Sequence, residues 1–202
     1  MAKNFVSNST ESVRMFKSNF MEALSKVHFS VPLFIYVPVV LYFLGKSVFV
    51  LHTNAGTIVL FYFLGILGWS LVEYVLHRFV FHFTPKGKFM ERIHFVFHGV
   101  HHDYPNDVKR LVMPPSVSIP LAVLFYFILS AVFNKVQFHA FFPGFVTGYL
   151  IYDMSHYALH HYNFKSKFWK ELKRHHMLHH YQDSSKKYGV SSVLWDKIFR
   201  SE

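Results

Sequence analysis

Four long apolar blocks dominate the pattern of hydrophobic and polar positions along the chain. They cover residues 31 to 50, 57 to 75, 117 to 133 and 138 to 154, and polar segments separate them. The first two blocks reach or approach the roughly 20 residues that a helix needs to cross the hydrocarbon core of a bilayer. The last two are shorter and contain Pro120, Pro143 and Gly144, which predicts a thin or tilted hairpin. The pattern therefore predicts an all-α integral membrane protein with four transmembrane helices in two hairpins.

Composition agrees with a membrane protein. Of the 202 residues, 52% are hydrophobic and 20% are aromatic, which is more apolar than a soluble domain of this size usually is. The first apolar run starts near residue 29 and no small-residue cleavage site follows it, so we expect no signal peptide. We divide the chain into an N-terminal cytoplasmic segment, residues 1 to 30, and a membrane catalytic domain, residues 31 to 202.

Basic residues predict the orientation. Four crossings place residues 1 to 30, 78 to 115 and 155 to 202 on one side, and these segments hold 19 of the 21 Lys and Arg. By the positive-inside rule that side is cytoplasmic. The formal charge of +10 is not gathered on one groove-sized patch, and no nucleic-acid motif is present, so we expect no nucleic-acid partner.

Histidines cluster on the same side, where 13 of the 16 emerge. Residues three and four apart on a helix share a face, so each helical set can direct its imidazoles at one point. The sets are His98, His101 and His102; His156 and His160; and His176, His179 and His180. His77 and His82 are five apart, about 140° round an ideal helix, so they converge only at a helix end or a local distortion.

This histidine pattern predicts a metal site in a cytoplasmic helical cap. The chain has no cysteine, which excludes thiolate ligands, disulfides and cysteine nucleophiles. About ten imidazoles exceed the four ligands that a structural zinc ion takes, and therefore two ions fit better than one. Imidazole suits iron, copper, nickel and zinc alike, so the ligand type does not select the metal.

The order of the histidine motifs resembles a known family. HRFVFH, HGVHH, HYALHH and HHMLHH, with a membrane hairpin between the second and the third, are similar to the fatty acid hydroxylase and sterol desaturase superfamily of integral-membrane di-iron enzymes. EYVLHRFVFHF, HGVHHDYPNDVKRLVMPP, YLIYDMSHYALHH, KRHHMLHHYQD and GVSSVLWDKIF resemble, in sequence and order, the catalytic domain of the fatty acid 2-hydroxylases that act on sphingolipid acyl chains. The likeness runs from about residue 71 to residue 199.

The resemblance implies ten metal ligands and several neighbours. The ligands are His77, His82, His98, His101, His102, His156, His160, His176, His179 and His180. It makes His94 a neighbour of the ligands, and no catalytic residue beyond the ligands is indicated. A ligating imidazole normally donates its other N–H to a carboxylate or a carbonyl, so the acids nearest in sequence, Glu73, Asp153 and Asp103, are expected to contact the ligands. His161 and His175 lie off the ligand faces and are expected to pack or hydrogen-bond.

The resemblance also implies a reaction. Two iron ions would use dioxygen to hydroxylate a lipid acyl chain, at the 2-position of a fatty acid or a sphingolipid N-acyl group. Residues 1 to 30 are too short for the b-type cytochrome domain fused to eukaryotic members, so we expect an external donor: a b-type cytochrome or a ferredoxin-like carrier with a reductase. Zinc can replace iron in purified samples because it binds more tightly than ferrous iron.

Other functions remain open at this point. The chain can be a desaturase, or a sterol or carotenoid hydroxylase of the same superfamily. From a different class, it can be a zinc transporter or a metal-storage protein, although transport calls for ligands staged across the bilayer. It can also be a membrane scaffold that binds metal without catalysis.

Overall fold

The computed structural model describes residues 6 to 202, and within that range the chain is helical with no strand. Residues 1 to 5, the start of the predicted N-terminal segment, lie outside the described residues. The α-helices of the described part are α1 Asn19–Leu24, α2 Val31–Gly45, α3 Ala55–Val75, α4 Lys88–His94, α5 Val100–Asp103, α6 Pro115–Val132, α7 Lys135–His161, α8 Lys167–Tyr181 and α9 Leu194–Ile198. Three π-helical turns extend α2, α3 and α4: Lys46–Val50, Leu76–Phe81 and Phe95–Gly99.

Three helical segments in the described chain are long and apolar enough to cross a membrane. They are Val31–Val50, Ala55–Phe81 and Pro115–Val132, which match the first three predicted blocks. The fourth block, residues 138 to 154, lies in α7, which is not among them. The reason is its composition: polar side chains such as His139 and Asp153 lower the mean hydropathy of α7, and these side chains are buried inside the bundle.

Proline does not break the helices of the last two blocks. Both α6 and α7 continue through their prolines, Pro120 and Pro143. A capping box starts α7, in which the Asn134 side chain accepts from the Gln137 backbone N–H at 3.0 Å. Farther along, the Thr147 hydroxyl donates to the Pro143 carbonyl at 2.8 Å, the kind of side-chain bond that lets membrane helices tolerate proline.

Close contact between α3 and α7 forms the centre of the bundle. A Cβ atom added to Gly144 would lie 2.0 Å from the Tyr62 carbonyl oxygen, and one added to Gly65 would lie 2.2 Å from the Phe141 carbonyl oxygen. Only glycine permits this approach of two backbones. Contacts advance together along both helices, from Tyr62 against Thr147 to Trp69 against Tyr152, so α3 and α7 run parallel.

The other two long helices run antiparallel to α7. On α2, Tyr36 packs against Tyr149 and Phe43 against Phe138, so its start lies beside the later part of α7. On α6, Phe133, at the C-cap, stacks on Phe141, near the start of α7. Because α3 and α7 run parallel, the π-turn after α3 and the last turns of α7 reach the same end of the bundle, where α5 and α8 join them.

Replacing Gly144 with Ala should destabilise the bundle. The added Cβ would meet the Tyr62 backbone, so α3 and α7 must separate, and overpacking of this kind costs about 1–3 kcal/mol. Gly45→Ala is the matched control, because a Cβ there meets nothing within 4 Å. Thermal unfolding in detergent should give a lower midpoint for Gly144→Ala than for Gly45→Ala. Equal midpoints would contradict the close helix contact.

Candidate metal centre

All ten histidines that the resemblance implies as ligands come together in the structure, in two groups of five. Within each group, one nitrogen from every ring lies within 4.8 Å of the others. The first histidine group consists of His77, His82, His98, His102 and His179. The second histidine group consists of His101, His156, His160, His176 and His180. Each group therefore offers enough nitrogen atoms for one metal ion.

A π-turn brings His77 and His82 to the same face. The turn Leu76–Phe81 is closed by the His82 backbone N–H, which donates to the His77 carbonyl at 3.1 Å, five residues back. Their Nε2 atoms are consequently 3.2 Å apart, although an ideal α-helix would separate the two rings widely. This is the local distortion that the five-residue spacing requires, and π-turns are frequent at functional sites.

Helical spacing predicts that the histidines of each triplet converge on one point, but in the structure they do not. His98 and His102 face the first histidine group, whereas His101, between them, faces the second. On α8, His179 belongs to the first group and His176 and His180 to the second. Each triplet straddles the two groups because neighbouring rings diverge by about 100° per residue, so one helix can serve two adjacent sites.

Distances between ring nitrogens match those of ligands on a single cation. In the first group, Nε2–Nε2 separations are 3.1 Å for His77 and His98, 3.1 Å for His98 and His102, and 2.9 Å for His82 and His179. In the second group, the corresponding separation is 2.8 Å for His101 and His156. Metal–imidazole bonds of 2.0–2.1 Å place ligands at right angles about 3 Å apart. The donor sets therefore fit metal ions.

Two backbone carbonyls orient rings of the first group. His77 Nδ1 donates to the Tyr188 carbonyl, and His179 Nδ1 donates to the Lys186 carbonyl at 2.6 Å. Since Nδ1 carries the proton in both rings, both Nε2 atoms present lone pairs to the centre of the group. Such a bond to the far nitrogen is what holds ligating imidazoles in the correct tautomer.

Electrostatics keeps the clustered imidazoles neutral. Burial, and after it repulsion from neighbouring imidazoles, lowers the pKa of His98, His101, His176 and His180 well below the usual 6.5. The same two causes lower the pKa of His82 to about 3. Because metal ions bind neutral imidazole, the site is ready to accept a cation at neutral pH.

Glu73 and Asp153 contact loops rather than imidazoles, contrary to the expected direct contacts. Glu73 Oε1 accepts from the backbone N–H groups of Val190 and Ser191, both at 2.8 Å. Asp153 accepts from the Met113 backbone N–H at 3.1 Å and from the Tyr149 hydroxyl at 2.9 Å. The Tyr188 carbonyl accepts from His77, the contact that was expected of Glu73. The two carboxylates instead fix the loops that border the site.

The other predicted neighbours lie at the edge of the site. His94 is in neither group and packs against Phe83. Burial lowers the pKa of His94, and the charge of Asp103 acts against this shift. His161 and His175 are also outside the groups: His161 packs against Tyr157, and His175 Nε2 lies 3.0 Å from Asp196.

Asp196 is a structural residue that sequence reasoning missed. Its carboxylate accepts from the backbone N–H groups of Tyr188 and Gly189, at 2.9 and 2.7 Å, and from the Ser201 hydroxyl at 2.8 Å. These bonds shape the loop whose Tyr188 carbonyl orients His77. The only sequence signal is the GVSSVLWDKIF motif, in which this aspartate stands.

An apolar cavity leads to both histidine groups. It has a volume of about 410 Å³ and is partly open to the outside. Apolar side chains line most of it, including Leu76, Val112 and Val117, and the lining also includes His98, His101 and His156. A long apolar ligand in this cavity would reach both groups at once.

Comparison with known proteins identifies the relationship. The profile described as "Fatty acid hydroxylase" matches residues 62–201. Dihydroceramide fatty acyl 2-hydroxylase FAH2 of Arabidopsis thaliana is 39% identical over 94% of this chain and 79% of its own length. Ceramide very long chain fatty acid hydroxylase scs7 of Schizosaccharomyces pombe is 38% identical over 91% of this chain and 53% of its own length.

A human relative and a solved structure support the same relationship. Fatty acid 2-hydroxylase of Homo sapiens is 35% identical over 95% of this chain and 57% of its own length, so the chain spans little more than half of the yeast and human relatives. The solved structure titled "Full length scs7p (only hydroxylase domain visible)" superposes with a TM-score of 0.84, at 36% identity, over 91% of this chain and 69% of that one.

Removing one histidine from either group should release metal from the purified protein. His98→Ala deletes a nitrogen of the first group and His176→Ala one of the second, so each variant should lose about half of the bound metal, because a vacated ligand position weakens one site. His28→Ala, outside both groups, should keep it all. Elemental analysis by mass spectrometry measures the metal-to-protein ratio. Equal losses in all three variants would contradict the assignment of ligands.

Proposed function

We propose that this chain, which belongs to the fatty acid hydroxylase family, hydroxylates carbon 2 of a fatty acyl chain, most naturally the N-acyl chain of a sphingolipid. The observation that carries the proposal is the apolar cavity of about 410 Å³ that ends on His98, His101 and His156. An acyl chain can lie along its walls with the carbonyl end at the histidines, which brings carbon 2 to the metal centre. Three relatives carry 2-hydroxylase or ceramide hydroxylase in their names.

Iron is the metal that this function calls for. When bound, two iron ions would supply the activation of dioxygen that insertion into an unreactive C–H bond requires. Each histidine group holds five neutral nitrogens, and neutral imidazole is a good ligand for iron. The ten-histidine set is thus proposed as a di-iron site.

The residues of this chain orient the ligands, exclude water from the cavity and hold the acyl chain. The carbonyls of Tyr188 and Lys186 keep His77 and His179 in the tautomer that offers Nε2. Apolar walls exclude water from the cavity, which limits side reactions of activated oxygen. Contact with these walls restricts the acyl chain and holds carbon 2 in position for reaction.

Electrons must come from outside. Hydroxylation consumes one dioxygen, two electrons and two protons for each C–H bond converted to C–OH, and one water is released. The side chains supply no such electrons, so a one-electron carrier, such as a b-type cytochrome or a ferredoxin reduced by a reductase, would deliver them in two steps. With 21 Lys and Arg against 11 Asp and Glu, the chain favours an acidic carrier.

Four crossings and a cytoplasmic active site are proposed for the same chain. Besides the three apolar spans, α7 has 27 residues, about 40 Å of helix, and runs parallel to α3, which is itself a candidate span. A polar fourth helix can cross when its neighbours cover it. Both groups then lie at the end of the bundle that carries 19 of the 21 Lys and Arg, which supports cytoplasmic placement.

Lipid mass spectrometry tests the reaction. Cells expressing the chain with a sphingolipid supply, under ¹⁸O₂, should accumulate a 2-hydroxyacyl lipid with one ¹⁸O atom. His179→Ala should abolish it because the first group loses a nitrogen that the Lys186 carbonyl orients, while His28→Ala should not change it. Product in the His179→Ala cells, or labelled product hydroxylated at another carbon, would contradict the proposal.

Topology has a separate test. A reporter enzyme that works only in the cytoplasm should be active when it is fused after Glu202. An even number of crossings returns the C-terminal segment to the cytoplasmic side, where the histidines are proposed to lie. A reporter fused within the connection at residues 51 to 54 should give the opposite signal. The same signal from both fusions would contradict four crossings.

A further inference from the structure

The segment before the first membrane helix builds one wall of the cavity. Met15, Phe16, Met21 and Leu24 line it from this side, opposite residues of the histidine-bearing part of the chain. The cavity is therefore lined from two parts of the chain that lie far apart in sequence.

Polar contacts hold this wall against the loop after α5. Glu22 lies 2.6 Å from the Arg110 guanidinium and 2.7 Å from the Lys26 ammonium, and its carboxylate also accepts from the Met15 backbone N–H at 2.9 Å. Although burial raises the pKa of Glu22, the hydrogen bonds and Arg110 outweigh it and lower that pKa to about 2. The Arg92 guanidinium adds a bond to the Met15 carbonyl. The wall is thus fixed at neutral pH.

The rim of the cavity is mostly apolar. Apart from Ser116, the exposed lining side chains are apolar: Met21 at 45%, Leu24 at 40%, Val80 at 47% and Phe97 at 55%. Two come from α1 and two from the π-turns on the other side of the opening. Contact of these side chains with lipid hydrocarbon is more favourable than contact with water, so we expect the opening to face the hydrocarbon.

The position of α1 places it at the membrane surface. The Leu24 carbonyl accepts from the Ser116 hydroxyl at 3.1 Å, one residue after Pro115 begins a candidate membrane span. Seven residues after Leu24, Val31 begins another. On α1, Phe20 has 71% of its surface exposed. The helix therefore lies at the depth at which two spans begin.

From these contacts we infer that α1 lies in the bilayer surface and forms one side of the opening through which the acyl chain passes from the hydrocarbon into the cavity, between Leu24 and Phe97. The identity of the ligand as an acyl chain rests on the proposed function. The membrane position of α1 and the cavity wall stand on the geometry alone.

Spin labelling tests the membrane contact without any turnover. The chain has no cysteine, so Phe20→Cys gives one labelled position in the otherwise intact protein. In vesicles of phosphatidylcholine, the nitroxide should be reached more readily by oxygen than by a water-soluble nickel chelate. Leu41→Cys, on the exposed face of α2, is the lipid control, and Asn8→Cys is the aqueous control. A Phe20 label that behaves like the Asn8 label would overturn the inference.

Photolabelling tests the cavity wall. A long-chain fatty acid with a diazirine in its chain should cross-link to the tryptic peptide between Lys17 and Lys26, and an excess of unlabelled fatty acid should remove most of that label. Leu24→Trp should reduce the competed label about tenfold, because the larger ring fills the opening, whereas Leu41→Trp should leave it within about twofold. If unlabelled fatty acid removes no label from this peptide, the inference that this segment lines the cavity would be overturned.

Failure of the proposed function gives a different pattern. If the chain hydroxylates no lipid, the ¹⁸O experiment is negative while the nitroxide accessibility and the competed photolabel remain. If the inference alone fails, hydroxylation persists with the Phe20 label in water or with no competed label on the peptide. The two claims are thus decided by separate measurements.

Discussion

Ten neutral imidazoles converging in a buried volume is the constraint on which the rest of the structure depends. Their lone pairs face one another at about 3 Å, an arrangement that is repulsive unless a cation lies between them, so the surrounding frame must hold the rings in place. Three features provide that frame: the π-turn that aligns His77 with His82, the loop carbonyls that orient His77 and His179, and the glycine contact that fixes α3 against α7. Each belongs to a different segment, and together they fix the relative positions of three of the four histidine-bearing regions: the π-turn after α3, α7 and α8.

Sequence periodicity predicts much of this arrangement. Helical spacing singles out eight of the ten histidines, and the apolar blocks locate three membrane helices within a few residues. Spacing does not show how the histidines divide into groups, because that depends on which ring of a triplet faces which neighbouring helix. Helical spacing also does not predict the π-turns, because one extra residue in a turn does not change the composition of the segment. The resemblance supplies His77 and His82, which periodicity leaves undecided.

Long-range contacts explain the remaining errors. The acids nearest in sequence to the ligands, Glu73 and Asp153, contact loops that arrive from more than 30 residues away, and carbonyls of such a loop take the place expected for a carboxylate. In the same way, the apolar block in α7 is predicted to be a shortened span because it contains Pro143 and Gly144. In the fold the helix continues through both residues, and Gly144 packs against the Tyr62 backbone. The N-terminal segment looks like a polar extension, yet it closes the cavity from one side.

The most direct test of the two-site centre is X-ray absorption spectroscopy on iron-loaded protein, combined with the iron-to-protein ratio. The proposed di-iron site predicts two irons per chain and a first coordination shell dominated by imidazole nitrogen at about 2.1 Å, with the outer-ring scattering typical of several histidines on each ion. One iron per chain, or a shell dominated by carboxylate oxygen with few imidazole rings, would contradict the assignment of one ion to each histidine group.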